Sequence, residues 1–520
     1  MKFLMVYPNS TGNTKIPLGV GYLLTILKTH GHDVRLFDMT FYGVEIEKND
    51  FQIRGRNLNF RPIDMTPYGV VYKKATFNDI ANDLKDEINT FKPDLIGFTL
   101  TEDTSMVALQ FADIAKKALP TAKIIMGGVY CMTRPEYVIS KDFVDIICVG
   151  EGEVALPELI ARIQDGRNIT DVKGLWFKTH DGKIIKNEVA EPTNLDSIPF
   201  ADLGLIDKRH FYSPMAGHVY KMTFIESQRG CPNRCTYCCN QLFLDSYRSH
   251  IKTYLRKKSI PRLIDELLYV KDIFGINFIQ FTDDDFMLRS EEELKDFSIR
   301  YSKEVCLPFW IQAGGLHITD KKMYYVREAG CIAISMGIET GNEFVRQEVF
   351  KRRISPDKTI EAFNIMNKYG IRTSGNVIIG VPHEGRKEIF DTIRLAKQCK
   401  PKSFNVNIFA PYHGTALREY CVKHGYLDDS FIREGRLSWK PVLTMPQITQ
   451  DEIENLSRTF VLYATLPEEY YPMIEKYEKD IQGSEEIFEE LQKIYWEIAE
   501  KSGIDYHIPG YDDKELLKEL

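Results

Sequence analysis

No run of apolar residues in this chain is long enough to cross a bilayer, so a transmembrane helix is not expected. Basic charge is not in excess either. Lys and Arg number 67 against 74 Asp and Glu, a formal charge of −7, and the electrostatic footprint of a nucleic-acid-binding protein is missing. The N-terminus carries one basic residue and a short apolar run with no cleavage site after it, and reads as a first strand rather than a signal peptide. Ten cysteines among 520 residues, without a secretion signal, do not make a disulfide framework, and a cytoplasmic protein is expected. Internal repeats and low-complexity segments are absent. What is present, 43% hydrophobic and 27% charged residues with a mean hydropathy of −0.27, is the profile of a soluble globular chain of two or three domains.

Apolar strands and helical patterns alternate from residue 1 to about 165: strands near 3–7, 34–37, 95–100, 123–126 and 144–149, and helices at 18–28, 77–90, 104–118 and 154–163. That alternation predicts a parallel sheet covered by helices on both faces. Residues 43–72, polar and aromatic without a clear period, read as an insertion or loop. A hairpin on a type I′ turn at Asp181-Gly182 is expected, then a linker over 191–215. Strand–helix alternation resumes with strands near 219–227, 276–281, 308–313, 332–338, 373–380 and 404–409. Six β/α units are two short of a full barrel. From about 428 helical patterns dominate, notably 450–465 and 484–501, with aromatic residues Trp439, Tyr463, Tyr470 and Tyr471. The acidic end (Asp512, Asp513, Glu515, Glu519) reads as a solvated face. The expected division is 1–170, 171–215, 216–425 and 426–520.

Four of the ten cysteines fall within nine residues. Cys231, Cys235 and Cys238 follow a predicted strand with C-x3-C-x2-C spacing, and three thiolates so close suit an iron–sulfur cluster. Three ligands leave one iron of a four-iron cubane open, as a metal that binds substrate requires. The alternative is structural zinc, which wants four ligands in paired halves, and no second C-x2-C or H-x3-H occurs. Cys239, adjacent to Cys238, reads as a bystander.

The stretch from Gly230 to Cys238, with aromatic Tyr237 before the last cysteine, resembles the signature of the radical S-adenosylmethionine (SAM) superfamily. The similarity continues through Phe281–Phe286, Gly337–Gly341, Asn376–Pro382 and Phe409–Thr415. His383 and His413 depart from it, standing where a glycine and a proline are more usual. The resemblance implies a partial (β/α)6 barrel, a [4Fe–4S] cluster on Cys231, Cys235 and Cys238, and SAM contacts from Tyr237, Asp284, Gln312, Glu339 and Asn376. On residue chemistry alone, Asp283 to Asp285 fit a divalent-metal cluster or a capped turn. Gln312 and Glu339 suit hydrogen bonds to a ribose or amine, or equally a packed core. His317 is assigned nothing.

Gly150-Glu151-Gly152-Glu153-Val154-Ala155 matches G-x-G-x-x-A, yet it follows the last strand of its domain, whereas a dinucleotide fingerprint belongs in the first turn. The strand-end loops together give a better account: Asn9, Leu18 and Gly19; Thr99, Thr101, Glu102 and Thr104; Gly127, Gly128, Val129 and Tyr130; Gly150, Glu151, Gly152 and Glu153. Ligands of open parallel sheets bind outside these carboxyl ends, and small residues there admit a large flat ligand. With Pro17-Leu18-Gly19, residues 1–165 resemble the Rossmann-like cobalamin-binding domain joined to many radical SAM enzymes. The D-x-H-x-x-G motif is absent from the first loop, so no histidine of that motif would ligate cobalt.

The resemblance implies an α/β enzyme that generates a 5′-deoxyadenosyl radical and methylates an unactivated carbon with a cobalamin-borne methyl group. Cyclisation, oxidation or rearrangement on the same scaffold is an alternative. A tRNA methylthiotransferase would need a second cluster's cysteines and a basic module; a non-catalytic B12 protein would not need the three cysteines. An electron donor such as flavodoxin or ferredoxin is expected. A small molecule, lipid, tetrapyrrole or peptide would suit as substrate.

Overall fold

The computed structural model describes residues 1–9, 14–43, 50–215, 217–432, 440–479, 484–502 and 512–518. Five apolar runs form parallel strands: β1 (Lys2–Tyr7), β2 (Asp33–Asp38), β3 (Leu95–Thr99), β4 (Lys123–Gly127) and β5 (Ile146–Cys148). They lie in the order β2-β1-β3-β4-β5, which puts a topological switch point between β1 and β3. Side chains alternate across the sheet. Leu4, Val6, Ile96 and Phe98 enter one core, whereas Phe3, Met5, Leu95 and Ile125 enter the other. β6 (Leu175–Lys178) and β7 (Ile184–Lys186) add an antiparallel hairpin. Its turn differs from the type I′ expected. Of Asp181 and Gly182 only Gly182 has positive φ, and the Gly182 N–H bonds Thr179 O, a type I turn closed by a left-handed glycine.

The second sheet also has seven strands: β8 (Tyr212–Met215), β9 (His218–Ile225), β10 (Phe278–Phe281), β11 (Phe309–Ala313), β12 (Cys331–Glu339), β13 (Arg372–Ile379) and β14 (Ser403–Ile408). β9 to β14 are parallel and consecutive. β8, in the stretch read as a linker, pairs antiparallel with β9 because the short loop between them lets the chain double back. Side chains of Ser259, Ser290, Thr319, Ser355 and Thr415 cap the helices that cover the barrel.

The C-terminal helices Gln450–Thr465, Tyr471–Lys479 and Glu485–Lys501 have no core of their own, since Leu456, Phe460, Tyr477 and Leu491 join the barrel's. Tyr463 is buried there, while Trp439 and Glu519 lie outside the described residues. The acidic end is not merely a solvated face: Asp513 accepts the Val219 N–H of β9, and Leu516 packs with Phe41 and Tyr68.

The N-terminal sheet is locked to the barrel by a buried polar triad. Tyr22 donates to Glu266 Oε1 at 3.0 Å, and Lys258 bonds both the Tyr22 oxygen and the Glu266 carboxylate. Burial and the Glu266 charge push the Tyr22 phenol well above its ordinary range, so it stays a donor. No described helix is long and apolar enough to cross a membrane.

Candidate active site

The cysteine loop begins where β9 ends, and a buried carboxylate fixes its start. Asp283, at the end of β10, accepts the N–H groups of Ser227 at 2.7 Å and Gln228 at 2.9 Å. Gln228–Arg229 then pairs antiparallel with Arg256–Lys257, and Cys231, Cys235 and Cys238 follow, each half-buried. Burial pushes the Cys231 thiol up to about 12 and raises Cys235. A hydrogen bond with Cys239, then burial, raises Cys238, whereas the bond from Cys238 lowers Cys239 against the upward push of burial. Thiols in such a place become thiolates only beside compensating positive charge, which iron supplies. Among the described residues no three His, Cys, Asp or Glu side chains converge as on a single ion. A structural zinc site closes with four ligands in paired halves, whereas three cysteines suit a cubane with one iron left open.

Behind the loop stands a second polar group. Arg352 donates to Gly337 O at 2.7 Å, approaches Glu339 at 3.6 Å and reaches the Tyr237 hydroxyl at 3.4 Å. Burial raises the Glu339 carboxyl despite Arg352, and the Tyr237 ring meets Phe350 edge-on at 4.6 Å. A Cβ on Gly337 would lie 2.1 Å from Glu339 Oε1, so the carboxylate occupies space that only glycine leaves. Gln312 and Asn376 are half-buried on the barrel's inner face; Asn376 stands in register with Gly337 of this group, and its amide bonds Ser335. Asp284 accepts from Asn240 at 3.1 Å on an open wall, while burial in the surrounding cleft raises its carboxyl. Asp285 bonds His317 Nδ1 at 2.6 Å, so His317 has a structural partner that the sequence did not reveal. His383 has φ of 68°, which accounts for the usual glycine there.

A cavity of about 530 Å³ joins the two sheets. Leu18, Gly19, Thr99, Gly128, Val129 and Gly150 to Glu153 line its N-terminal side; Glu226, Gly230, Asn240 and Asp284 line the barrel side. An apolar slot of about 80 Å³ shares Thr99, Gly128, Gly150 and Gly152 with it and lies between one face of the sheet, at Phe3, Gly97 and Ile125, and the helix residues Leu23 and Leu156. Gly128 has φ of 97°, and a Cβ there would lie 2.5 Å from Leu100 O. A glycine-lined cavity at the switch point lies where an open parallel sheet takes its ligand, and its glycines let a broad corrinoid approach the backbone.

Glu151 and Glu153 also serve another purpose. Arg229 meets Glu153 at 2.6 Å and Glu226 at 2.8 Å, and Arg256 pairs with Glu151. Against the upward push of burial, Arg229 and Arg256 hold the Glu151 carboxyl below its usual range, whereas burial wins at Glu226 and raises it. Nothing in the sequence singled out Arg229, Arg256 or Arg352. An arginine directly before the cysteine-loop glycine was the one available signal.

Six expected cobalamin contacts do not line this cavity. Glu102 is buried against His413, accepting its backbone N–H at 2.8 Å and pairing with Nδ1 at 2.7 Å, while Arg134 meets His413 Nε2 at 3.0 Å. Asn9 bonds Thr40; Thr101 and Thr104 cap each other; Tyr130 is buried near His413. Gly127 reaches only the slot. The side chains of Asn9, Thr101, Thr104 and Glu102 are taken up by protein partners instead. Residues 10–13 of the first loop lie outside the described residues.

With this geometry in view, comparison with known proteins gives a consistent result. The B12 binding domain matches residues 67–160 and the radical SAM superfamily residues 225–396. An uncharacterized methyltransferase of Pyrococcus horikoshii is 28% identical over 88% of this chain and 91% of its own length. The anaerobic magnesium-protoporphyrin IX monomethyl ester cyclase of Rubrivivax gelatinosus is 23% identical over 66% of this chain and 61% of its own. The structure of the radical SAM methyltransferase TsrM from Kitasatospora setae, with cobalamin and a [4Fe–4S] cluster bound, shares the fold: TM-score 0.62, 15% identity, 95% of this chain and 99% of that one. The chain belongs to the B12-dependent radical SAM family. It is a radical SAM enzyme whose cofactors are a [4Fe–4S] cluster, SAM and cobalamin.

Proposed function

We propose that the protein is a cobalamin-dependent methyltransferase acting on an unactivated carbon of a small-molecule substrate. In this reading Cys231, Cys235 and Cys238 carry the cluster. Tyr237, Asp284, Gln312, Glu339 and Asn376 serve SAM, and the glycine-lined strand ends serve cobalamin. The observation that carries it is the single cavity bounded by Gly128 and Gly150 on one side and by Gly230 and Asp284 on the other. When bound, the cluster supplies the electron that cleaves SAM, and the corrinoid carries the methyl group. The chain's own residues position and shield. Asp283 sets the start of the cysteine loop, Arg352 holds Glu339, and the buried interface keeps water out.

An electron donor such as flavodoxin or ferredoxin completes the reaction from outside, and no nucleic acid is needed at net charge −7. Ten free cysteines suit a reducing, cytoplasmic setting. The test is stoichiometry. With substrate and strong reductant, a methyltransferase forms 5′-deoxyadenosine and S-adenosylhomocysteine in near-equal amounts, quantified by mass spectrometry. Substrate-coupled 5′-deoxyadenosine without S-adenosylhomocysteine would reject methyl transfer in favour of cyclisation or oxidation.

A further inference from the structure

The cysteine loop borders two separate cavities. Gly230 lies on the one between the sheets, whereas Pro232 to Cys235 lie on a second, of about 910 Å³, completed by residues from 314–317 after β11 and from 343–357 after β12. The two linings share no residue, and the N-terminal domain contributes nothing to the second. Of the residues assigned to SAM, Asp284 lines the first cavity and none lines the second. Cys235 is therefore reached from a side that neither the N-terminal domain nor those residues cover.

Positive charge gathers on that side of an acidic chain. Arg234, Arg346, Lys351, Arg352 and Arg353 stand in the lining against Glu343 and Asp357. Arg352 is taken by Gly337 and Glu339. Arg234 and Lys351 pair with Asp245 and Glu348 in solvent, where such pairs are worth little. Arg353 and Arg346 differ from these. Arg353 is exposed and, among the described residues, has neither an ion-pair nor a hydrogen-bond partner. Arg346 is 5% exposed, and its Nη1 is buried without a hydrogen-bond partner. The carboxylate that faces it, Glu343, stands 4.0 Å away and is itself mostly in water. Two cations of the lining are thus left without close compensation. Apolar surface accompanies them: Leu316, in the lining, and Phe344, next to Glu343 in the chain, are each about half exposed.

On the radical-enzyme reading above, we infer that this face docks an acidic one-electron carrier protein, whose carboxylates meet Arg353 over the buried charge of Arg346 and whose redox group comes to rest beside Cys235. One electron leaves the reduced carrier for the cluster, and the carrier departs oxidised by one electron. Apolar contact within a basic rim suits the small, charge-steered interfaces of redox partners. A net charge of −7 repels an acidic protein at long range, but physiological salt screens exposed charges beyond about 8 Å, so the local cations govern the encounter.

The experiment titrates the anaerobically reconstituted full-length protein with an acidic flavodoxin and, separately, an acidic ferredoxin, both oxidised, and reads equilibrium binding from their visible absorbance. Saturable binding of one of them is expected, weakened about tenfold by Lys351→Glu with Arg353→Glu and unchanged by Lys173→Glu on the N-terminal domain. Salt gives the sign. Two acidic proteins without a complementary patch bind better as salt rises, whereas docking on Arg353 weakens with salt, and the double reversal removes that weakening. Binding of neither carrier, wild-type binding that strengthens with salt, or equal affinity in wild type and double variant would overturn the inference. Saturable binding of inorganic phosphate that Arg353→Glu abolishes, with carrier affinity unchanged, would make this a small-anion site and overturn it too. Should the double variant fail to retain iron, Arg353→Gln decides: weakened binding supports the inference and unchanged affinity overturns it. Wild-type 5′-deoxyadenosine formation under dithionite is measured separately. Its absence would sink the radical-enzyme reading, whereas carrier binding bears on this face alone.

Discussion

Replacing Asp283 by Asn isolates what the cysteine loop costs in stability. Asp283 is 1% exposed, and burial pushes its carboxyl from 3.8 up to about 7, against the hydrogen bonds from Ser227 and Gln228 and the charge of Arg289. A carboxyl whose folded pKa lies above its unfolded one keeps its proton better in the folded state. Stability from this group is therefore greatest below about pH 4 and is lost as pH rises to about 7, by about 4 kcal/mol in all. About half of that falls between about pH 5.5 and about pH 8, where the protein can be handled.

Asparagine keeps Oδ1 for the Ser227 and Gln228 N–H groups, and the Ser227 hydroxyl can turn to accept from the new amide. The expected result is a variant that gains on the wild type with rising pH, by about 2 kcal/mol across that window. Urea midpoints followed by tryptophan fluorescence measure it. Glu384, whose carboxyl burial pushes up to about 8, gives a slope of the same sign in both proteins and cancels in the difference. Asp283→Ala is the contrast, since it leaves two buried N–H groups unmet at about 1–3 kcal/mol each and frees the start of the cysteine loop, lowering iron content. Parallel pH profiles for wild type and Asp283→Asn would refute the reasoning, because Asp283 would then be ionised throughout.

Substituting Ala at Cys231, Cys235 and Cys238 together should abolish the reconstituted cluster, while Cys239→Ala keeps it; full iron and sulfide in the triple variant would be contrary. Lys258→Met should destabilise by about 3 kcal/mol or more by stranding the buried Glu266 carboxylate, whereas Lys258→Met with Glu266→Leu recovers much of the loss, as denaturation of both will report. Gly128→Val should lose bound corrinoid in visible spectra, because its Cβ has no room beside Leu100 O. Cobalt spectroscopy of the wild type should show no histidine nitrogen coupling from the first loop, where the D-x-H-x-x-G motif is missing.

Much of this protein is local enough to be read along the chain. Parallel strands buried on both faces are continuous apolar runs, so β1, β3 and β4 announce themselves, while β11, β13 and β14 of the barrel do so by alternating buried and half-exposed residues. Three cysteines within eight residues need no distant partner to define a soft metal site, and Cys231, Cys235 and Cys238 are legible for that reason. β8 was not legible, because an edge strand of four residues that includes a proline carries no pattern of its own.

Long-range pairing was decided only in three dimensions. Glu102 stands at a strand end like any ligand-facing residue, yet His413, distant in sequence, claims its carboxylate. Arg352 lies in a run of basic residues that reads as surface, and the return of the chain after β12 brings it beneath Glu339. The insertion that carries Asn59 has no period to betray it, since its hydrogen-bond partner is the β14 backbone at Val406, 347 residues on. Periodicity and ligand spacing are properties of neighbouring residues and survive in the sequence. Which buried charge meets which partner depends on where the two sheets dock, and only the packed chain holds that information.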